Sequence, residues 1–102
     1  KGRTAEAKAI LGSLRTAEEA YNLEHQTYIA YSATATNLPV EAPTACDTAH
    51  FFSYACSSGS ATTFTCTATR CTAGGKSPQG PAAGYNITLD QAGAWGGTAG
   101  YY

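Results

Sequence analysis

The sequence predicts an α+β domain: one long N-terminal helix packed on a three- to four-stranded antiparallel meander sheet. Three observations carry this. Apolar residues recur at spacings of three and four through residues 1–30, the period of an amphipathic helix. After residue 50, aromatic residues and cysteines sit among Thr, Ser and Ala, and one segment alternates Thr with Phe64, Cys66 and Ala68, a strand signature. The two patterns follow one another without interleaving, which sets the helix apart from the sheet and argues against βαβ repeats. With 102 residues the chain makes one domain, 1–102, with a modest core.

The helix occupies RTAEAKAILGSLRTAEEAYNLEHQTY and is expected over 1–30. Ala7, Ile10, Leu11, Leu14, Ala17, Tyr21 and Tyr28 make the apolar stripe. Glu6, Lys8, Arg15, Glu18, Glu19 and Glu24 fall mostly off it, where a solvated charge is the expectation. Gly12 costs about 1 kcal/mol against alanine in a helix interior. Lys1-Gly2-Arg3 place basic charge where the helix macrodipole favours acid. Either Thr4 caps this end or the helix runs in from residues before Lys1. Residues 31–49 form a connecting loop, because Pro39 and Pro43 forbid a regular helix.

The sheet is expected within 50–91. HFFSYACS (50–57) and TTFTCTATR (62–70) pair antiparallel around the turn glycine Gly59. GYNITLDQ (84–91) follows the Gly- and Pro-rich loop TAGGKSPQGPAA. Residues 92–102 form a C-terminal tail in which Trp95 covers the sheet edge or the helix. Tyr21, Tyr28, Tyr31, Phe51, Phe52 and Tyr54 are expected to supply core in a chain without methionine. Tyr101 and Tyr102 sit at a terminus, where contact within the domain and contact between subunits are equally open.

Cys46, Cys56, Cys66 and Cys71 are an even number in a short chain, which predicts two disulfides and an oxidising compartment. Three pairings are possible, and hairpin geometry ranks them. Pairing around Gly59 brings Cys56 opposite Cys66 and the region before His50 near Cys71, so the nested bridges Cys56–Cys66 and Cys46–Cys71 rank first. Cys46–Cys56 and Cys66–Cys71 each need a sharp bend, since extended residues advance about 3.3 Å each while bridged Cα atoms lie about 5.5 Å apart. A metal site built on Cys46 and His50 lacks the closely spaced cysteine pairs of secure zinc sites. No metal and no cofactor are expected.

The net charge of -1 and the 13% of charged residues supply no basic patch, so nucleic acid is not expected as a main partner. No run of about 20 apolar residues is present to span a membrane. His25 and His50 are the only histidines, and Ser13, Ser53 and Ser57 lack a Gly-x-Ser-x-Gly setting. With no acid–base pair in a defined setting, the expectation is a non-enzyme with no catalytic residues. Asn86-Ile87-Thr88 matches a glycosylation acceptor, but its place in a strand argues against modification.

The helix also carries a resemblance. AEAK at Ala5 to Lys8, Leu11-Gly12, RTAEEAY at Arg15 to Tyr21, and Glu24 to Tyr28 resemble the exposed half of the first helix in type IV pilins, especially pilin-like subunits of bacterial surface filaments. FFSYACS, TTFTCTATR and GYNITLDQAGAW are similar to that family's sheet, so nearly the whole chain is covered, specifically in the helix and more loosely in the strands. The resemblance implies an apolar helical segment before Lys1, which anchors the subunit in the inner membrane before assembly and packs in the filament core afterwards. It implies further copies of the chain and a pilus or secretion assembly machinery as partners, and an extracellular filament on the bacterial surface as location. The leader peptidase site of the family, with its Phe and Glu, is not in this chain, which is therefore expected to be a truncated soluble domain. Pseudopilins of type II secretion carry Asp-Asn-Gly-x-Tyr-Pro and Thr-Thr-Glu-Gln-Gly-Leu after the helix. The stretch from Glu24 to Ile29 differs, and Asp47 and Asp90 stand alone where those proteins have an acidic calcium loop. A pilus subunit is preferred over a pseudopilin or minor pilin. A small extracellular binding module, with residues 31–48 or TAGGKSPQGPAAG as its site, is the third reading.

Overall fold

The computed structural model describes residues 2–58, 61–72, 75 and 84–102. Gly59 and most of the segment 72–84 singled out above lie outside the described residues. Helix α1 spans Gly2–His25. Its inward face follows the 7–11–14–18 series, with Ala7, Leu11, Leu14 and Glu18 fully buried.

The helix stops at His25, short of the expected residue 30. Gln26 takes a left-handed φ of 56°, a conformation that costs a non-glycine residue about 1 kcal/mol. Its N–H donates to the Asn22 carbonyl at 2.8 Å and its side-chain amide to Leu23 O at 3.3 Å, so two of the orphan carbonyls of the last turn are satisfied. The chain then swings to the sheet, where Tyr31 exchanges two backbone hydrogen bonds with Cys56, at 2.8 and 2.9 Å. Tertiary pairing ends the helix where local periodicity would have continued it.

The strands are β1 (Phe52–Ser58), β2 (Phe64–Arg70), β3 (Asn86–Asp90) and β4 (Trp95–Gly97). They form one antiparallel sheet in the order β1-β2-β3-β4, the upper bound of the expected strand number. β4 lies within residues expected to be tail only. A turn builds it: Asp90 Oδ1 accepts the N–H groups of Ala92 and Ala94 at 3.0 and 2.9 Å, which reverses the chain after β3. Gly97, at φ 110°, sits so close to β3 that a Cβ would collide with the Asn86 carbonyl. Trp95 therefore belongs to the edge strand itself, and it meets α1 through Lys8, whose Nζ lies 5.5 Å from the indole centroid.

α1 packs on β1, β2 and β3. Phe52, Tyr54 and Cys56 point inward from β1, and Phe64, Cys66, Ala68 and Arg70 from β2. Ile87 and Leu89 close the core from β3. The outer edge of β1 is covered by the connecting loop: Tyr54 N donates to Pro43 O and Cys56 N to Tyr31 O, both at 2.8 Å. The Tyr31 hydroxyl donates to Ala42 O at 2.6 Å and holds the loop there. This covering removes an open strand edge that would otherwise template pairing with another chain.

Candidate functional site

Register explains the first disulfide. Cys56 spends its backbone N–H and C=O on Tyr31, so toward β2 it stands in a non-hydrogen-bonded pair with Cys66, the closer of the two antiparallel pair types. The Cys56–Cys66 bridge has a Cα separation of 3.9 Å, and Cys46–Cys71 one of 5.8 Å. Bridges are therefore nested around the β1–β2 hairpin.

Two helix carboxylates placed off the apolar stripe by sequence turn out to face the fold. The Glu6 carboxylate accepts the N–H groups of Phe51 at 3.1 Å and Phe52 at 3.3 Å, and the Tyr54 hydroxyl at 2.9 Å. It satisfies the start of β1 from the helix. Burial, with Glu6 as hydrogen-bond acceptor and nearby charge, holds the Tyr54 hydroxyl far above the ordinary tyrosine range. Glu18 is 0% exposed, against the expectation of a solvated charge. Its Oε1 accepts Ile29 N–H at 3.0 Å, while Oε2 is buried without a partner among the described residues. Burial raises its pKa above the ordinary carboxylate value; the charge of Glu19 adds to this, and the Ile29 bond opposes it. The signal was present in the sequence, since Glu18 continues the 7–11–14 series by one helical step.

Glu18 lies against the cross-strand disulfide, its carboxylate and the sulfurs of Cys56 and Cys66 within 4.8 Å of one another. Both sulfurs are bonded to each other and hold no thiolate, so the trio is not a metal centre in this oxidation state. His50 pairs through Nδ1 with Asp47 Oδ1 at 2.9 Å, and the same oxygen accepts Ala49 N–H, an arrangement that clamps the loop end before β1. The His50 bond is the main cause that holds the Asp47 carboxyl below its ordinary value. His25 stacks on Tyr21, with ring centroids 4.1 Å apart. The buried Arg70 donates from Nη1 to the carbonyls of Phe51 and Cys71, each at 3.1 Å, and ties the strand ends together. Sequence reasoning missed this role, although Arg70 occupies an inward step of the β2 alternation.

Among the described residues, two surfaces are open to interaction. The first is the helix face turned away from the sheet. Ala9, Gly12, Ser13 and Thr16, with Pro39 and Val40 of the loop, border a groove of about 520 Å³. Further along, Leu23 is 83% exposed beside a second depression against Leu38 and Pro39. The second surface lies near the start of α1, where Thr4, Lys8, Tyr85, Gly100, Tyr101 and Tyr102 line a cleft of about 280 Å³. Tyr85 and Tyr101 stack there at 3.9 Å with an interplanar angle of 16°.

Comparison with protein-family models, curated proteins and solved structures gives no match for this chain. No helix among the described residues is long and apolar enough to cross a membrane.

Proposed function

We propose that the chain is the globular part of a structural subunit of a type IV pilus-like extracellular filament. The observation that supports this best is the division of α1 into two faces. One face is built into the core by Ala7, Leu11, Leu14 and Glu18. The opposite face, from Ala9 to Leu23, is left uncovered and carries small residues around the groove and one protruding leucine. A helix of 24 residues is about 36 Å long at 1.5 Å per residue, close to the 40 Å long axis of the domain. It forms a spine along one side of the molecule, open to contact with other helices. Small side chains let helices approach closely, and an exposed leucine gains by burial.

The helix-then-meander order and the resemblance of the helix residues to type IV pilins point the same way. Two disulfides and a covered strand edge suit a subunit displayed outside the cell, where oxidation is maintained and unwanted edge pairing is harmful. The partners in this reading are further copies of the chain and the machinery that assembles them.

Immunogold labelling of the producing cells, viewed by negative-stain electron microscopy, tests the proposal. Gold along thin surface filaments is the expected result. Gold confined to the cell envelope rejects a surface filament and favours a pseudopilin or minor pilin.

A further inference from the structure

We infer that Cys56, Cys66 and Glu18 form a zinc site when the Cys56–Cys66 disulfide is reduced, with two thiolates and one carboxylate oxygen on a single cation. This inference does not depend on the filament reading. The three side chains come from β1, β2 and α1, and one carboxylate oxygen and the two sulfurs lie within 4.8 Å of one another. All three residues are buried, Glu18 and Cys66 completely. Glu18 supplies the observation that points to a ligand. Its Oε1 is occupied by Ile29 N–H, while Oε2 is buried without a hydrogen-bond partner among the described residues. A bare buried acceptor beside a disulfide destabilises the oxidised fold. A cation held between that oxygen and two thiolates gives it a partner.

The donor set selects the cation. Magnesium and calcium take oxygen ligands, whereas Zn²⁺ accepts both cysteine sulfur and a carboxylate. The fourth position falls to a water molecule, as in zinc sites with three protein ligands. Ile29 N–H acts from outside the site: by holding Oε1 it fixes the carboxylate and leaves Oε2 free. Around a tetrahedral zinc, with bonds of about 2.0–2.3 Å, donor atoms stand roughly 3.5 Å apart, so the two sulfurs must part. The sheet allows it. Non-hydrogen-bonded antiparallel pairs ordinarily stand about 4.5 Å apart at Cα, and Cys56 and Cys66 stand at 3.9 Å. A chain in a reducing compartment carries these thiols, and the cation displaces their two protons on binding. When a disulfide oxidant takes two electrons from the thiolate pair, the Cys56–Cys66 bond re-forms and the ion is released.

The test reduces the whole chain without oxygen, using a water-soluble phosphine, which takes up the oxygen of a water molecule and leaves its two protons on the sulfurs. Co²⁺ is then titrated in at neutral pH as a coloured probe, and Zn²⁺ is added to displace it. Expected is a saturable thiolate-to-cobalt charge-transfer absorption at one metal per chain, abolished by zinc and absent from the oxidised chain. Glu18→Gln keeps the shape and the acceptor for Ile29 but removes the anionic donor. It should weaken cobalt at least about tenfold, the lower end of what loss of an outer-shell partner does. Cys46 and Cys71 supply the competing thiols. The double variant Cys46→Ser, Cys71→Ser should bind as the wild type does, since reduction opens that bridge in both proteins. Circular dichroism of the reduced, zinc-loaded chain should match that of the oxidised protein, which separates a folded site from thiols of an unfolded chain. The inference is overturned if the reduced chain gives no charge-transfer absorption, if Glu18→Gln binds as tightly as the wild type, if the double variant loses the site, or if the metal-loaded chain lacks the native spectrum.

Discussion

Replacing Glu18 by glutamine is expected to stabilise the domain at neutral pH and to leave it unchanged in acid. Glu18 is fully buried, with one oxygen bonded to Ile29 N–H and the other without a partner among the described residues. Glutamine has the same shape and keeps the acceptor for Ile29. Its NH₂ takes the place of the bare oxygen and is as poorly satisfied as the hydroxyl of a protonated acid, so below the ordinary value of 4.5 the two proteins should match. Burial raises the folded-state pKa of Glu18, so the wild type loses stability relative to the variant as pH rises through that raised value. A buried polar group without a partner costs about 1–3 kcal/mol, and more when charged. The charge-dependent excess at pH 7 is therefore on the order of 1 kcal/mol, or a Tm higher by about 4–8 °C for a domain of this size. Thermal denaturation followed by circular dichroism at pH 4 and pH 7, disulfides intact, measures it. Asp47, whose pKa is lowered, loses its contribution as pH falls in both proteins and cancels in the difference. A variant less stable than wild type at pH 7, or a difference that does not change with pH, would refute the reasoning.

Glu6→Ala removes the acceptor of two backbone N–H groups and the Tyr54 hydroxyl, and should cost about 2–4 kcal/mol in urea denaturation. Opening the Cys46–Cys71 bridge, which spans 25 residues, should destabilise by about 3.5 kcal/mol on the chain-entropy model, against about 2.7 kcal/mol for the 10-residue Cys56–Cys66 bridge. Paired Cys→Ala variants compared by Tm check the order. Leu14→Ala, in the core, should cost about 2–5 kcal/mol. Leu23→Ala, on the uncovered face, should stay within about 0.5 kcal/mol of wild type and, if that face joins subunits, lower the filament yield from intact cells.

Much of the fold was legible because its signals are periodic. The 7–11–14 spacing marks α1, and the 64–66–68 alternation marks β2 with its inward Phe, Cys and Ala. The helix end was not legible, since Gln26 leaves the helical region to let Tyr31 reach Cys56, a contact 25 residues further on. β4 was missed because Trp-Gly-Gly has no alternation to read; the Asp90 turn and the close approach at Gly97 define it instead. The roles of Glu6 and Glu18 were hidden by the rule that charges on a helix are solvated. That rule fails where a strand start or a returning loop needs an acceptor. The aromatic cleft depends on where the tail returns, which glycine-rich residues do not announce in one dimension.

The filament proposal is tested most directly by shearing the producing cells and blotting the sheared pellet, the membranes and the medium with an antibody against this domain. The account predicts the protein in the pelletable sheared fraction, as polymer. Protein held only in the membranes, or free as monomer in the medium, would contradict it.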